Sequence, residues 1–319
     1  MAAIAVLESS TDPGPKPGRR NTESRRDAFV RELRRNLTAH SFLIGAVLVF
    51  ALFSWYPMVR EFIMSFQKQK LGQTHWVGWH NLNQVWNDPS FGQAWRNTAE
   101  FTLLALLLGY VAPFFIAIVL NEFRHARGYL RVLVYLPVML PPVASLVLFQ
   151  YFYNPDYGLF NHLLHAVHLP TSSWLQSPKM SMIAVVIAST WMNMGSATLI
   201  YLAALQGIPG ELYEAAEIDG AGILKRIWHV TIPQTRMILS MMLMLQIVAT
   251  MQVFVEPFVL TNGGQGVDNS TTTVVYLIYQ YAFNFGNYGA ASALGLLLLL
   301  VLVVFALVYR WLMSRVEEQ

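Results

Sequence analysis

Amide, carboxylate and aromatic side chains recur at helical spacing inside otherwise apolar runs of this sequence. Trp191, Met194, Thr198 and Tyr201 follow one another in steps of three or four, with Asn193 beside them. Gln246 and Gln252 occupy a later run, and Glu256 follows Gln252 by four positions. Such steps share one face of an α-helix, so Gln252 and Glu256 are predicted to stand one turn apart. The set suits a neutral polyhydroxyl molecule: amides donate and accept, a carboxylate accepts two hydroxyl hydrogen bonds, and aromatic rings offer apolar faces. Structural readings stand beside this one. Gln246 and Asn193 also read as helix–helix hydrogen bonds, the Trp/Tyr/Met stripe as packing, and Glu256 as a carboxylate snorkelling at the end of a span.

Other chemistry has less support. His162, His165 and His168 form an H-x-x-H-x-x-H pattern. Steps of three drift by about 60° around a helix, so the three rings do not converge, and no His-Glu-x-x-His signature accompanies them; no metal site is expected. There is no cysteine, which removes thiolate nucleophiles, cysteine metal cages and disulfides. No Ser/His/Asp order or pair of intramembrane carboxylates suggests a catalytic set. The phosphate-binding pattern GxxxxGK[ST] is missing, so the chain is not expected to bind ATP itself.

The elements that must position the polar residues are long and greasy. The 319-residue chain is 55% hydrophobic and 12% charged, against about 25% charged in soluble domains. Six uncharged stretches reach the roughly 20 residues that a membrane requires. They run about Ser41 to Val59, about Phe101 to Asn121, within Val132 to Tyr153, within Met180 to Gly210, from near Met237 to the region of Glu256, and in the later part of the run ending at Tyr309. Only helices satisfy the backbone at these depths. The expected fold is all-α, a polytopic membrane protein with six transmembrane helices.

Charge sets the orientation. Eight Lys and Arg crowd the N-terminus, from Lys16 to Arg35. Arg124, Arg127, Arg131, Lys225, Arg226, Arg236, Arg310 and Arg315 fall on the same side as that tail, and Arg60, Lys68, Lys70, Arg96 and Lys179 on the other. The positive-inside rule places both termini in the cytoplasm. Residues 1–39 read as a basic disordered tail against an anionic leaflet rather than a nucleic-acid arm, and 40–316 as the membrane domain, with a cytoplasmic loop over 208–235. Gln67 to Arg96 reads as an outer interfacial segment with tryptophan anchors. Gly289 with Ala293, and Ala291 with Gly295, predict close helix packing. The aromatic segment Tyr276, Tyr279, Tyr281 and Phe283 is open between a mouth that meets another protein and a simple aromatic belt.

The 208–235 loop is the most polar part of the second half. Glu211, Glu214 and Glu217 suit the positive start of a helix, Gly220 ends it, and a second short helix carries Lys225, Arg226 and His229 before Pro233 stops it ahead of the fifth span. Glu214-Ala215-Ala216, Asp219-Gly220-Ala221 and Val230-Thr231-Ile232-Pro233 resemble the EAA loop of ATP-binding-cassette (ABC) importer permeases, with Val230, Ile232 and Ile227 as conservative departures. Trp76 to Thr98, Tyr135 to Pro142 and Phe258 to Gly266 resemble, in order, further segments of the carbohydrate branch of that family, with Asn262 departing from its usual residue.

The resemblance implies a permease subunit with no cofactor of its own, in a bacterial or archaeal inner membrane. It also implies a second related permease, an ATPase dimer that carries ATP and magnesium, and an extracytoplasmic binding protein. Glu214, Ala215, Ala216, Asp219, Gly220, Ala221 and Pro233 would belong to the ATPase-coupling loop. The expected cargo is a di- or oligosaccharide; the alternative within the class is a glycerol phosphodiester or glycerol 3-phosphate. A membrane-embedded hydrolase or receptor is the alternative outside it, and would require a catalytic cluster or signalling domain.

Overall fold

The computed structural model describes residues 43–70, 73–122 and 127–317. The tail predicted over 1–39, the first residues of span one and Arg124 lie outside the described residues. Two units are distinguished, 1–59 and 60–319. In the first, residues 43–59 are helical, opening α1 (Leu43–Met64) and containing a π-helical turn at Ala51–Trp55.

The second unit is helical apart from one antiparallel hairpin, β1 (Gln67–Lys70) and β2 (Gln73–Trp76), in which Gln67 pairs with Trp76. The hairpin and the short α2 (His80–Trp86) make up the first part of the segment read from the sequence as interfacial with tryptophan anchors. Trp76, Trp79 and Trp86 within it are exposed. Next comes α3 (Pro89–Glu122), 34 residues long and far longer than the apolar run alone suggests. Asp88 caps it, accepting from the Ser90 N–H at 2.7 Å, and Pro89 sits at its start, where no N–H is needed.

The third predicted span is two helices. α4 (Arg127–Met139) and α5 (Pro142–Phe152) are bent by 98° to each other. Pro141 disfavours helical geometry at Leu140 and cannot donate to the preceding turn, whereas Pro142 fits the first turn of the new helix. Five helices are thus long and apolar enough to cross a membrane, or six if the bent pair counts as one span. α6 (Leu159–Ala166) leads to α7 (Ser181–Gln206), which lies close to α4: a Cβ on Gly195 would approach the Val134 carbonyl to 2.5 Å.

α8 (Gly210–Ile218) precedes α9 (Ile223–Thr250). Pro233 does not stop a separate helix here. The chain runs helically through it, and the π turn Ile227–Thr231 absorbs the ring that would otherwise strike the carbonyl four residues back. α9 then ends at Thr250, before Glu256. Pro257 could not donate to the carbonyl of Val253; that carbonyl accepts instead from Thr273 Oγ1 at 3.0 Å. Met251–Phe254 forms a break, and α10 (Val255–Leu260) starts afresh with Glu256 in its first turn, where a carboxylate suits the helix dipole. α11 (Val274–Tyr279), the π turn Gln280–Asn284 and α12 (Tyr288–Glu317) complete the chain.

Three apolar clusters hold the unit together. One joins Phe101, Leu146, Phe149, Tyr153 and Met182. A second joins Val85, Val274, Leu277 and Leu294, and a third joins Phe114, Leu120, Tyr201 and Leu205. The small residues of α12 meet close neighbours: Gly289 faces the Gln67 carbonyl and the Asn81 amide, and Gly295 faces the carboxylate of Glu61 on α1.

Candidate functional site

A cavity of about 330 Å³ opens between α3, α7, α9 and α10. Phe101, Ala105 and Gly109 line it from α3, Ser189, Thr190, Asn193 and Met194 from α7, and Gln246 and Thr250 from α9. Gln252, Phe254 and Glu256 line it from the break and from α10. Four of the six path candidates, Asn193, Gln246, Gln252 and Glu256, therefore face one space. The expected geometry of one pair is corrected: Gln252 and Glu256 do not share a helix face, because α9 ends between Gln246 and Gln252. Fold, not period, brings them together.

Their hydrogen bonds leave acceptors over. Ser189 Oγ donates to Glu256 Oε1 at 2.9 Å, Asn193 Nδ2 to the Ser189 carbonyl at 2.9 Å, and Gln252 Nε2 to the Val248 carbonyl at 2.9 Å. Gln246 Nε2 reaches the Ala105 carbonyl at 3.5 Å, the residue that opens the π turn Leu106–Tyr110. Gly109 in that turn makes room: a Cβ there would stand 3.0 Å from Gln246 Nε2 and 3.4 Å from Thr190 Oγ1. The amide oxygens of Asn193, Gln246 and Gln252 and the second Glu256 oxygen have no partner among the described residues. The lining contains neither Lys nor Arg.

Trp191 and Tyr201 lie elsewhere. Trp191 packs on Phe149 at 5.2 Å between ring centres, and Tyr201 is buried against Phe114 at 5.4 Å. Both serve packing in this conformation.

The segment after α10 has its own built-in turn. Asn262, Gly263, Gly264, Gly266, Asp268 and Asn269 all have positive φ. Gly264 is required by space as well, since a Cβ would come within 2.5 Å of the Tyr276 ring. Thr271 Oγ1 donates to the Gly264 carbonyl at 3.0 Å. Asn97 Nδ2 donates to the carbonyls of Asn269 and Thr272 at 2.8 and 2.9 Å, and Thr98 Oγ1 accepts from the Val274 N–H at 3.0 Å. Sequence reasoning missed Asn97 and Thr98; their only signal was polarity at the start of a span. Phe254 in the cavity wall continues into an aromatic chain through Phe258, Tyr279 and Phe283 with ring centres 5.1 to 5.3 Å apart. Tyr281 points away, donating to Asp88. Burial first, and that carboxylate second, push its hydroxyl above the usual range.

The connector between α7 and α9 has a defined turn. The Ala221 N–H bonds the Ala216 carbonyl at 2.9 Å and the Gly220 N–H bonds the Glu217 carbonyl at 3.0 Å, with Gly220 at φ +74°. These two bonds and the left-handed glycine make a Schellman motif, which explains Gly220 two residues past the end of α8. Tyr213 and Thr231 hydroxyls meet at 3.1 Å, and Glu217 pairs with Arg226 at 3.0 Å. Glu214, Ala215 and Asp219 are exposed, as is Pro233, while Ala216 and Ala221 are half-buried. The connector also presents apolar side chains outward: Ile218 is 87% exposed and Trp228 68%.

His162 and His165 are exposed on α6, and His168 lies beyond its end at φ +58°. No group of three His, Cys, Asp or Glu among the described residues could hold a metal ion. The organiser of this loop is Asn161, which bonds Pro155, Ser172 and the Trp174 indole.

Residues 105–318 match the sequence family described as "Binding-protein-dependent transport system inner membrane component". The chain is 33% identical to the trehalose/maltose transport system permease protein MalF of Thermococcus litoralis, over 84% of this chain and 89% of that protein. It is 30% identical to the arabinooligosaccharides transport system permease protein AraP of Bacillus subtilis, over 92% and 93%. A chain in the crystal structure of a bacterial alginate ABC transporter, in complex with an alginate-pentasaccharide-bound periplasmic protein, superposes with a TM-score of 0.80 at 23% identity, covering 90% of this chain and 97% of that one.

Proposed function

The chain belongs to the family of inner-membrane components of binding-protein-dependent transport systems, and from that premise we propose that its polar cavity passes a neutral di- or oligosaccharide. It is a multi-pass membrane protein and the permease subunit of an ABC importer for carbohydrate, as its sugar-permease relatives indicate. It is not the ATPase, which in such importers is a separate subunit.

One observation carries the choice of cargo. The cavity wall offers three amides, three hydroxyls of Ser189, Thr190 and Thr250, one carboxylate and the rings of Phe101 and Phe254, with no Lys or Arg. Sugar hydroxyls need donors and acceptors, and a ring face suits an aromatic. A phosphate would meet Glu256 with nothing to offset the repulsion, so the glycerol phosphate reading is the weaker one.

The remaining parts follow from the same reading. An extracytoplasmic binding protein delivers the sugar near the Thr261–Gly266 segment and the aromatic chain. A second, related permease completes the pathway. Both termini and the 208–235 connector face the cytoplasm, as the Lys and Arg distribution suggests. There α8 docks on an ATPase dimer that binds ATP and magnesium; Glu214 and the exposed Ile218 support an acidic, partly apolar contact. α9 supports a direct mechanical link: one helix runs from Ile223 beside the connector to Gln246 and Thr250 in the cavity wall. At 1.5 Å per residue it spans about 40 Å, so tilting its connector end moves the cavity end.

The test is uptake by the complete importer in proteoliposomes, with neutral oligosaccharides, uronate oligosaccharides and glycerol 3-phosphate offered separately. Accumulation of a neutral sugar is expected. Accumulation of glycerol 3-phosphate alone would overturn the cargo assignment.

A further inference from the structure

A second space lies apart from the polar cavity. It is a groove of about 820 Å³ between α9 and α12, near the end of the bundle where α9 begins and α12 finishes. Met237 and Met241 of α9 and Leu307 and Met313 of α12 form its apolar wall, and Arg236 and Arg310 line it too. Both guanidiniums are exposed, and neither has an ion-pair partner among the described residues. No carboxylate lines the groove. The nearby Arg315 is already engaged, 4.2 Å above the Trp311 ring. The two serines at the groove are satisfied within their own helices, Ser240 on the Met237 carbonyl and Ser314 on the Trp311 carbonyl, each by its hydroxyl. The remaining polar side chain among the lining residues is Tyr309, whose hydroxyl is a further donor there.

α9 and α12 are both long and apolar enough to cross the membrane, so what fills a groove between them is lipid or another helix. A second helix would have to bring its own acidic groups to two unpaired arginines. An anionic phospholipid brings a phosphate, which guanidinium forks bind bidentately, and an acyl chain, to which flexible methionines adapt. We infer that this groove holds one anionic phospholipid, its phosphate on Arg236 and Arg310 and a chain along Met237, Met241 and Leu307. This goes beyond the cargo reading and stands whatever the cargo is.

The test is native mass spectrometry of the complete importer in detergent, titrated with palmitoyl-oleoyl phosphatidylglycerol or with the matching phosphatidylcholine. At about 1 kcal/mol per basic residue, two arginines correspond to roughly thirtyfold tighter retention of phosphatidylglycerol. Arg236→Gln with Arg310→Gln is expected to erase that preference, while Arg236→Lys with Arg310→Lys keeps most of it. Should the glutamine pair fail to assemble, Met241→Trp fills the groove with both arginines intact and is expected to expel the lipid. Equal retention of the two lipids by the unmodified protein, or an unchanged preference in the glutamine pair or in Met241→Trp, overturns the inference. So does a photo-crosslinker at position 241 that labels a second permease chain instead of lipid.

Discussion

Replacing Glu256 by Gln removes a charge from the cavity while keeping the atom that Ser189 bonds. Ser189 Oγ donates to Glu256 Oε1 at 2.9 Å, and a Gln oxygen can accept the same bond. Glu256 has no ion pair among the described residues. The cost to the fold is therefore the charge-assisted part of one bond plus a carboxylate at a helix start, together about 1 kcal/mol. Transport should suffer more selectively. A sugar hydroxyl bonded to a carboxylate gains about 1.5–3 kcal/mol, and to an amide oxygen about 0.5–1.5, so the difference is about 1–1.5 kcal/mol. That corresponds to roughly a five- to tenfold weaker half-saturation. The assay is uptake by proteoliposomes carrying the complete importer with a fixed amount of binding protein. Complex yield and receptor affinity are controls, and both should stay constant because receptor affinity resides in another chain. Losing the negative charge should also improve uronate sugars relative to neutral ones. Unchanged half-saturation together with an unchanged ratio of uronate to neutral uptake would refute the argument and leave Glu256 as a carboxylate that only suits the first turn of α10.

Glu214→Lys is expected to leave insertion intact and to uncouple uptake from ATP hydrolysis, since losing one member of a desolvated charge contact costs about 2–5 kcal/mol; co-purified ATPase and vesicle uptake measured together check it. Gly220→Val forces a β-branched residue to φ +74°, a strain of about 1–2 kcal/mol or more, and should reduce ATPase co-purification without lowering the amount of inserted chain. Asn97→Ala strips the bonds to the Asn269 and Thr272 carbonyls, each worth about 1–3 kcal/mol if left unpaired; a lower melting temperature in detergent and faster proteolysis between residues 261 and 273 are the readouts. Deleting residues 2–24 keeps Arg25, Arg26, Arg31, Arg34 and Arg35 as a topology signal, so normal uptake is expected, and loss of uptake at normal insertion would give the tail a regulatory role.

The spans were legible where a single quantity decides them. Twenty apolar residues without charge can only be helix in lipid, and α7 carries no charge throughout, α12 none up to Tyr309. Breaks were legible only when the breaker acts where it stands. Gly220 does so: its left-handed φ and two backbone bonds close α8 at the residue itself. Proline acts on the carbonyl four residues earlier, and whether that ends a helix depends on what else can satisfy or avoid that carbonyl. At Pro233 a π turn spreads the backbone, and α9 continues. At Pro257 the Val253 carbonyl finds Thr273, twenty residues along the chain, and α9 stops short. At Pro141 and Pro142 the chain turns by 98°. The same residue type thus gives three outcomes, and the partner that selects among them is tertiary. The polar cavity shows why this matters for the site. Residue type marked Asn193, Gln246, Gln252 and Glu256, but the spacing of four between the last two pointed to one helix face that does not exist. They meet because Pro257 displaces the end of α9 and because Gly109, on a π turn of another helix, lets Gln246 approach. Trp191 and Tyr201 carried an equal signal in the sequence and went into the core, since an aromatic stripe beside Phe149 and Phe114 is better buried by packing than by a wet cavity.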